Sequence, residues 1–177
     1  MTDFVYEGHK LDYRSYGVGY PLILICTGQL APELSRRYRV IAIETDDPIE
    51  PAALGRATFG LMDALMIKRA HVLGFKVGGM AAQGMAISYP RRVKGLILVA
   101  TERVSGYGDI ITARTLVLSG SADKIVRPVN STILAEWIPR SELVIVQGCG
   151  HQVLEEQPVI CSQAIIGFLR RVDSWGE

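Results

Sequence analysis

"AHVLGFKVGGM" (residues 70–80) passes from an apolar run through Gly74 and a lone lysine to a glycine pair that opens a run of small residues. A continuous apolar run bounded by glycines predicts a strand covered on both faces. The glycine pair predicts a sharp turn into a helix that packs closely on the sheet. The stretch therefore decides for an α/β architecture, and it places Lys76 at the apex of a strand-to-helix turn.

Outward from it the same alternation recurs. Apolar runs lie at 22–26 (LILIC), 39–44 (RVIAIE), 71–75 (HVLGF), 95–100 (GLILVA), 115–120 (TLVLSG) and 142–147 (ELVIVQ). Their continuity predicts a mostly parallel sheet. Helical patterns fill the gaps at 51–69, 77–89, 127–139 and 157–172, the last with Pro158 near its start and basic residues in its final turn. The opening stretch alternates apolar and polar residues around Gly8, which predicts an antiparallel hairpin on the sheet edge. The expected fold is a single α/β domain over 1–177: a three-layer, doubly wound, mostly parallel sheet of about eight strands with an N-terminal antiparallel hairpin.

Composition narrows the classes of function. The 177 residues suit one domain, and 49% hydrophobic against 21% charged residues argues against disorder. A net charge of +1, with charges scattered along the chain, offers no basic stripe for nucleic acid and no polybasic membrane patch. The N-terminus lacks the pattern of a leader and no apolar run reaches the length of a membrane span, so a soluble, cytoplasmic chain is expected. Cys26, Cys149 and Cys161 lack zinc-ligand or disulfide spacing and read as buried, reduced thiols. Gly78 and Gly79 fit neither a dinucleotide fingerprint nor a P-loop, so neither a cofactor nor a metal is expected.

In open α/β sheets ligands bind beyond the carboxyl ends of the strands. Four segments fall there: "TGQL" after the first central strand, Lys76 with Gly78 and Gly79, "GSADKIVRP" (120–128) and "GCGHQ" (148–152). In this order they resemble the α/β-hydrolase superfamily. Its nucleophile elbow G-x-S-x-G corresponds to Gly74-Phe75-Lys76-Val77-Gly78, its acid to Asp123 and its histidine to His151. "PLILICTG", "SYPRRVKGLILVA" and "EEQPVICSQAIIGFL" are also similar to superfamily segments, so the resemblance spans nearly the whole chain.

The resemblance implies a parental hydrolase of small esters or similar acyl compounds, with Lys76, Asp123 and His151 at the catalytic positions. Three departures qualify it. The nucleophile position holds an amine, and an acylated amine is an amide that water cleaves far more slowly than an ester. "TGQL" stands where the superfamily commonly has His-Gly, yet the backbone NH groups of Gln29 and Val77 would still form an oxyanion hole. Only "TERVSGYGDIITAR" (101–114) lies where superfamily members often insert a lid, so a shallow, open site is expected.

Three readings of Lys76 follow. In the first, the chain is a hydrolase fold that has lost its nucleophile, whether naturally or by replacement of a serine, since "GFSVGG" would be an ordinary elbow. In the second, the helix dipole and burial disfavour the ammonium form and leave an amine able to form a Schiff base with a carbonyl ligand, or His151 and Asp123 act as a general-base pair. In the third, the exposed face binds a protein or a second copy of the chain without catalysis. Lys76 and Asp123 are also placed to form an ion pair, and Cys26 and Cys149 lie close enough to offer a displaced thiol. His9 and His71 read as incidental, and Trp137 and Trp175 as packing residues.

Overall fold

The computed structural model describes residues 2–45, 48–104, 106 and 108–175. Ser105 and Tyr107 of the expected short connection lie outside them. The hairpin forms as expected: β1 (Thr2–Tyr6) and β2 (His9–Tyr16) pair antiparallel, with Phe4 opposite Leu11. Glu7 and Gly8 turn the chain with φ of 49° and 82°, the double positive φ that suits the twist of a two-residue hairpin.

The six apolar runs become β3 (Pro21–Ile25), β4 (Arg39–Glu44), β5 (Ala70–Phe75), β6 (Val93–Val99), β7 (Arg114–Gly120) and β8 (Ser141–Val146). All eight strands join one sheet in the order β1-β2-β4-β3-β5-β6-β7-β8. Pairing is antiparallel at β1·β2 and β2·β4 and parallel from β4 through β8. From β3 the chain moves outward to β4, and from β5 it moves the other way to β6. Neighbours β3 and β5 therefore flank the point where the winding reverses, which opens a crevice at their carboxyl ends.

The helices are α1 (Ala31–Leu34), α2 (Pro51–Ala64), α3 (Val77–Ser88), α4 (Pro128–Trp137), α5 (Val153–Glu156) and α6 (Pro158–Ser174). The single turns α1 and α5 were not expected, because four residues cannot display a helical period. The second correction concerns α2, which stops at Ala64 although the helical pattern continued to 69. There the NH of Met66 bonds the Asp63 carbonyl and the NH of Ile67 bonds the Met62 carbonyl, with Met66 at φ 56°. This double reversal is a Schellman cap, and it uses the main-chain donors that a continuing helix would need.

Two apolar layers cover the sheet. One contains Ile23, Ile25, Ile41 and Val72 under Leu54, Leu61 and Met62 of α2 and Ala81, Ala82 and Met85 of α3. The other contains Leu22, Leu24, Leu73 and Leu116 under Leu34 of α1 and Ile165, Phe168, Leu169 and Val172 of α6. The α6 positions recur at helical spacing, so one stripe of that helix is buried while its charged face meets solvent. The small residues of α3 let its backbone approach the sheet, and this brings the helix start onto the crevice.

Candidate active site

The elbow is built by close approaches that only glycine permits. A Cβ on Gly74 would lie 2.1 Å from the Gly78 carbonyl oxygen, one on Gly78 would lie 2.3 Å from that of Ile25, and one on Gly79 would meet the Thr101 side chain at 2.5 Å. Between them Lys76 is held at φ 54°, ψ −119°, a region sparsely used by side-chain-bearing residues. Its NH donates to the Val99 carbonyl at 3.1 Å, and its own carbonyl accepts from the NH of Gly79 at 2.9 Å and the hydroxyl of Thr101 at 2.7 Å. Every main-chain polar group of the apex is thus fixed. Cys26 and Ala100, which directly follow β3 and β6, also have positive φ, so backbone strain collects where the crevice opens.

The Lys76 side chain is half-buried, with Nζ 4.7 Å from the centre of the Phe75 ring. An ammonium on an aromatic face gains about 0.5–1 kcal/mol at partly exposed sites. Among the described residues Lys76 makes no ion pair, and the expected pairing with Asp123 does not form. The reason lies in the acid's other partners. One oxygen of Asp123 accepts the NH groups of Ile125 and Val126 at 2.8 and 3.0 Å, and the other meets His151 Nδ1 at 2.8 Å.

The Asp123 carboxylate fixes the orientation of the His151 ring. Asp123 is buried just beyond β7, and His151 follows β8, with its side chain only 15% exposed. An ionised carboxylate only accepts, so Nδ1 carries the proton and Nε2 is left as the basic nitrogen. The imidazole lies 6.3 Å, centre to centre, from the same Phe75 ring that carries the lysine ammonium. Phe75 therefore borders both groups.

Val77 opens α3, where the first NH groups of a helix have no acceptor within the helix. Gln29 sits in the turn after β3, and its side-chain amide donates to Glu155 of α5, tying the loop to the segment that follows His151. A cavity of about 550 Å³ opens beside this loop, lined by Cys26, Thr27, Gly28, Gln29 and Phe75 and by polar residues of β2 and β4 that include Arg14 and Glu44. The Thr27 hydroxyl in its wall is buried without a hydrogen-bond partner among the described residues.

The displaced-thiol reading loses its support. Burial pushes the Cys26 thiol up to about 11, and Cys149 is buried with its sulfur toward the Gln147 carbonyl. Both are poor sources of thiolate near neutral pH. Residues that the sequence did not single out stand behind the elbow. Gln83, buried on α3, donates to the carbonyls of Gly79 and Glu102 and accepts the NH of Val104, which holds the strand exit carrying Thr101 against the elbow. A lone amide in an otherwise small, apolar helix was its only signal.

No protein-family model matches the chain. A 2-hydroxy-6-oxononadienedioate/2-hydroxy-6-oxononatrienedioate hydrolase of Pseudomonas sp. is 34% identical over 88 residues, which are 50% of this chain and 28% of the relative. The matched stretch thus spans little more than a quarter of that relative's length. The 2-hydroxymuconate semialdehyde hydrolase of Pseudomonas sp. (strain CF600) is 21% identical across 97% of this chain and 94% of its own. That alignment runs over 268 positions where this chain has 177 residues, so the relative carries intervening segments that this chain lacks. Among solved structures, a thermophilic esterase from Thermogutta terrifontis superposes with a TM-score of 0.83 at 20% identity, covering 97% of each chain.

Proposed function

From the α/β-hydrolase fold that this chain carries, we propose a protein descended from a hydrolase of small esters or related acyl compounds, with Lys76 in the nucleophile's place and negligible serine-hydrolase turnover. One observation carries the reading: a lysine occupies the strained apex of the elbow after β5 while a hydrogen-bonded Asp123–His151 pair stands beyond the carboxyl ends of β7 and β8 in the same sheet. In the parental reaction a hydroxyl at position 76 gives its proton to His151 Nε2 and attacks the acyl carbonyl. The NH groups of Gln29 and Val77 would take the developing oxyanion, and His151 would return its proton to the leaving alcohol. Deacylation then needs an ester that water can cleave, and an amide on Nζ does not provide one.

The connection between β6 and β7 supports an open site. Residues 100–113 alone separate those strands, so we read this chain as lid-less, its substrate side facing solvent. The cavity beside the Cys26–Gln29 loop borders the elbow through Gln29 and Phe75 and falls within the size range of small-molecule sites.

Restoring the nucleophile tests the reading. Beyond a first equivalent, the chain with Lys76 is expected to turn over short-chain nitrophenyl esters no faster than its His151→Ala variant. Lys76→Ser is expected to label stoichiometrically with a fluorophosphonate probe, because the rest of the machinery is in place. A folded Lys76→Ser protein that stays unlabelled would remove the parental-hydrolase reading.

A further inference from the structure

We infer that Lys76 is a single-use acyl acceptor: the site takes an acyl group from an activated oxygen ester or thioester and keeps it as an amide on Nζ. The inference rests on the parental-hydrolase reading for its proton acceptor and its carbonyl-binding NH groups. It goes beyond that reading by assigning Lys76 a covalent modification that ends, rather than begins, a catalytic cycle.

Three structural facts converge on it. The main chain of Lys76 is fixed through Val99, Gly79 and Thr101, so its Cα–Cβ bond leaves the apex in the direction an elbow gives its nucleophile. Nζ makes no ion pair among the described residues and rests only on the Phe75 ring, so losing a proton breaks no salt bridge. The Asp123 carboxylate holds Nδ1 of His151, which leaves Nε2 as the accepting nitrogen of an imidazole whose centre lies 6.3 Å from that of the same ring.

The step balances without any further reactant. Lys76 loses one proton to solvent to reach the neutral amine. Its lone pair forms the Nζ–C bond at the acyl carbonyl, and the second Nζ proton passes to His151 Nε2. The tetrahedral intermediate collapses with cleavage of the C–O or C–S bond, and His151 gives its proton to the departing phenolate, alkoxide or thiolate. The products are N-acyl-Lys76 and one alcohol or thiol. Water is not consumed, and the amide that forms resists the hydrolysis that would reset a serine.

The test uses the full chain with p-nitrophenyl acetate in one arm and a simple alkyl thioester of acetate in the other, which distinguishes the two acyl sources. Nitrophenolate release should show a burst of about one equivalent and then fall to the slow rate of surface-lysine acetylation, with the acetyl group of the burst mapped by peptide mass to Lys76. In His151→Ala the rate at Lys76 should fall about a hundredfold while acetylation of surface lysines is unchanged. Lys76→Arg should abolish the burst. Lys76 acetylated no faster than surface lysines, or equally fast in His151→Ala, overturns the inference. Lys76→Ser that takes the fluorophosphonate probe while wild-type Lys76 stays unacylated would sink this proposal and leave the parental-hydrolase reading standing.

Discussion

Lys76 occupies a backbone conformation that costs about 1–3 kcal/mol for a residue with a side chain, and a lysine needs no such geometry in order to reach solvent. The strain is a property of the position, held by Gly74, Gly78 and Thr101 whatever side chain stands at the apex. Asp123 is bound in the same way, because two main-chain donors fix one oxygen and aim the other at His151. Asp123→Asn therefore separates the fold from the chemistry. The carboxamide oxygen still accepts Ile125 and Val126, so the turn survives, while its NH₂ group donates to Nδ1 and moves the imidazole proton to Nε2. In a Lys76→Ser background this wrong tautomer should lower kcat for nitrophenyl acetate by about four orders of magnitude, with little change in melting temperature. A kcat within tenfold of Lys76→Ser alone would show that Asp123 does not set the tautomer.

The elements that hold the site were legible to different degrees. Strand β5, the elbow and α3 could be read from one eleven-residue stretch, since apolar continuity, glycine spacing and small residues are all local signals. The helix α2 was legible in its start, where Pro51 takes the first position, and misread at its end. Its stop is made by Met66, an ordinary residue in the left-handed conformation where glycine would have announced the cap. That conformation makes Met66→Gly a specific test of the cap. Met66 is 88% exposed, so no packing is lost, and removing the Cβ conflict should stabilise the protein by about 0.5–1 kcal/mol after glycine's extra freedom in the unfolded chain is subtracted. Urea unfolding would measure it, and a lower midpoint at unchanged slope would mean that Met66 is not strained in solution.

Across the whole molecule the two ends of the sheet divide the work. The carboxyl ends gather strained turns and the Asp123–His151 pair, whereas the opposite end carries a polar lock around the buried His71, which the sequence presented as an incidental histidine. His71 lies on β5 and its partner Asp173 lies in the last turn of α6, so no local pattern could join them. His71 Nε2 meets Asp173 at 3.1 Å, and the same carboxylate accepts Lys94 Nζ at 2.7 Å and the Tyr38 hydroxyl at 3.1 Å. It therefore ties α6 to β5, β6 and the entry to β4. Burial pushes His71 down from 6.5 to about 4, and Lys94 and Arg69 act the same way, together outweighing the pull of Asp173. Burial pushes Asp173 up, but the bonds from Lys94 and His71 hold it below its ordinary value. The sign follows from proton counting: between these limits the unfolded chain binds a proton at position 71 that the folded chain refuses. Stability is thus fully present above pH 6.5, falls as pH drops toward 4, and levels off below it, a loss of roughly 3 kcal/mol from this group. Asp173 adds a loss of the same sign below its unfolded value. Urea titrations at pH 7 and 4.5 should show the fall in wild type and a distinctly smaller one in His71→Leu, which removes the titrating ring while Lys94 and Tyr38 still hold Asp173. Equal falls in the two proteins would place the acid sensitivity elsewhere and leave His71 as packing alone.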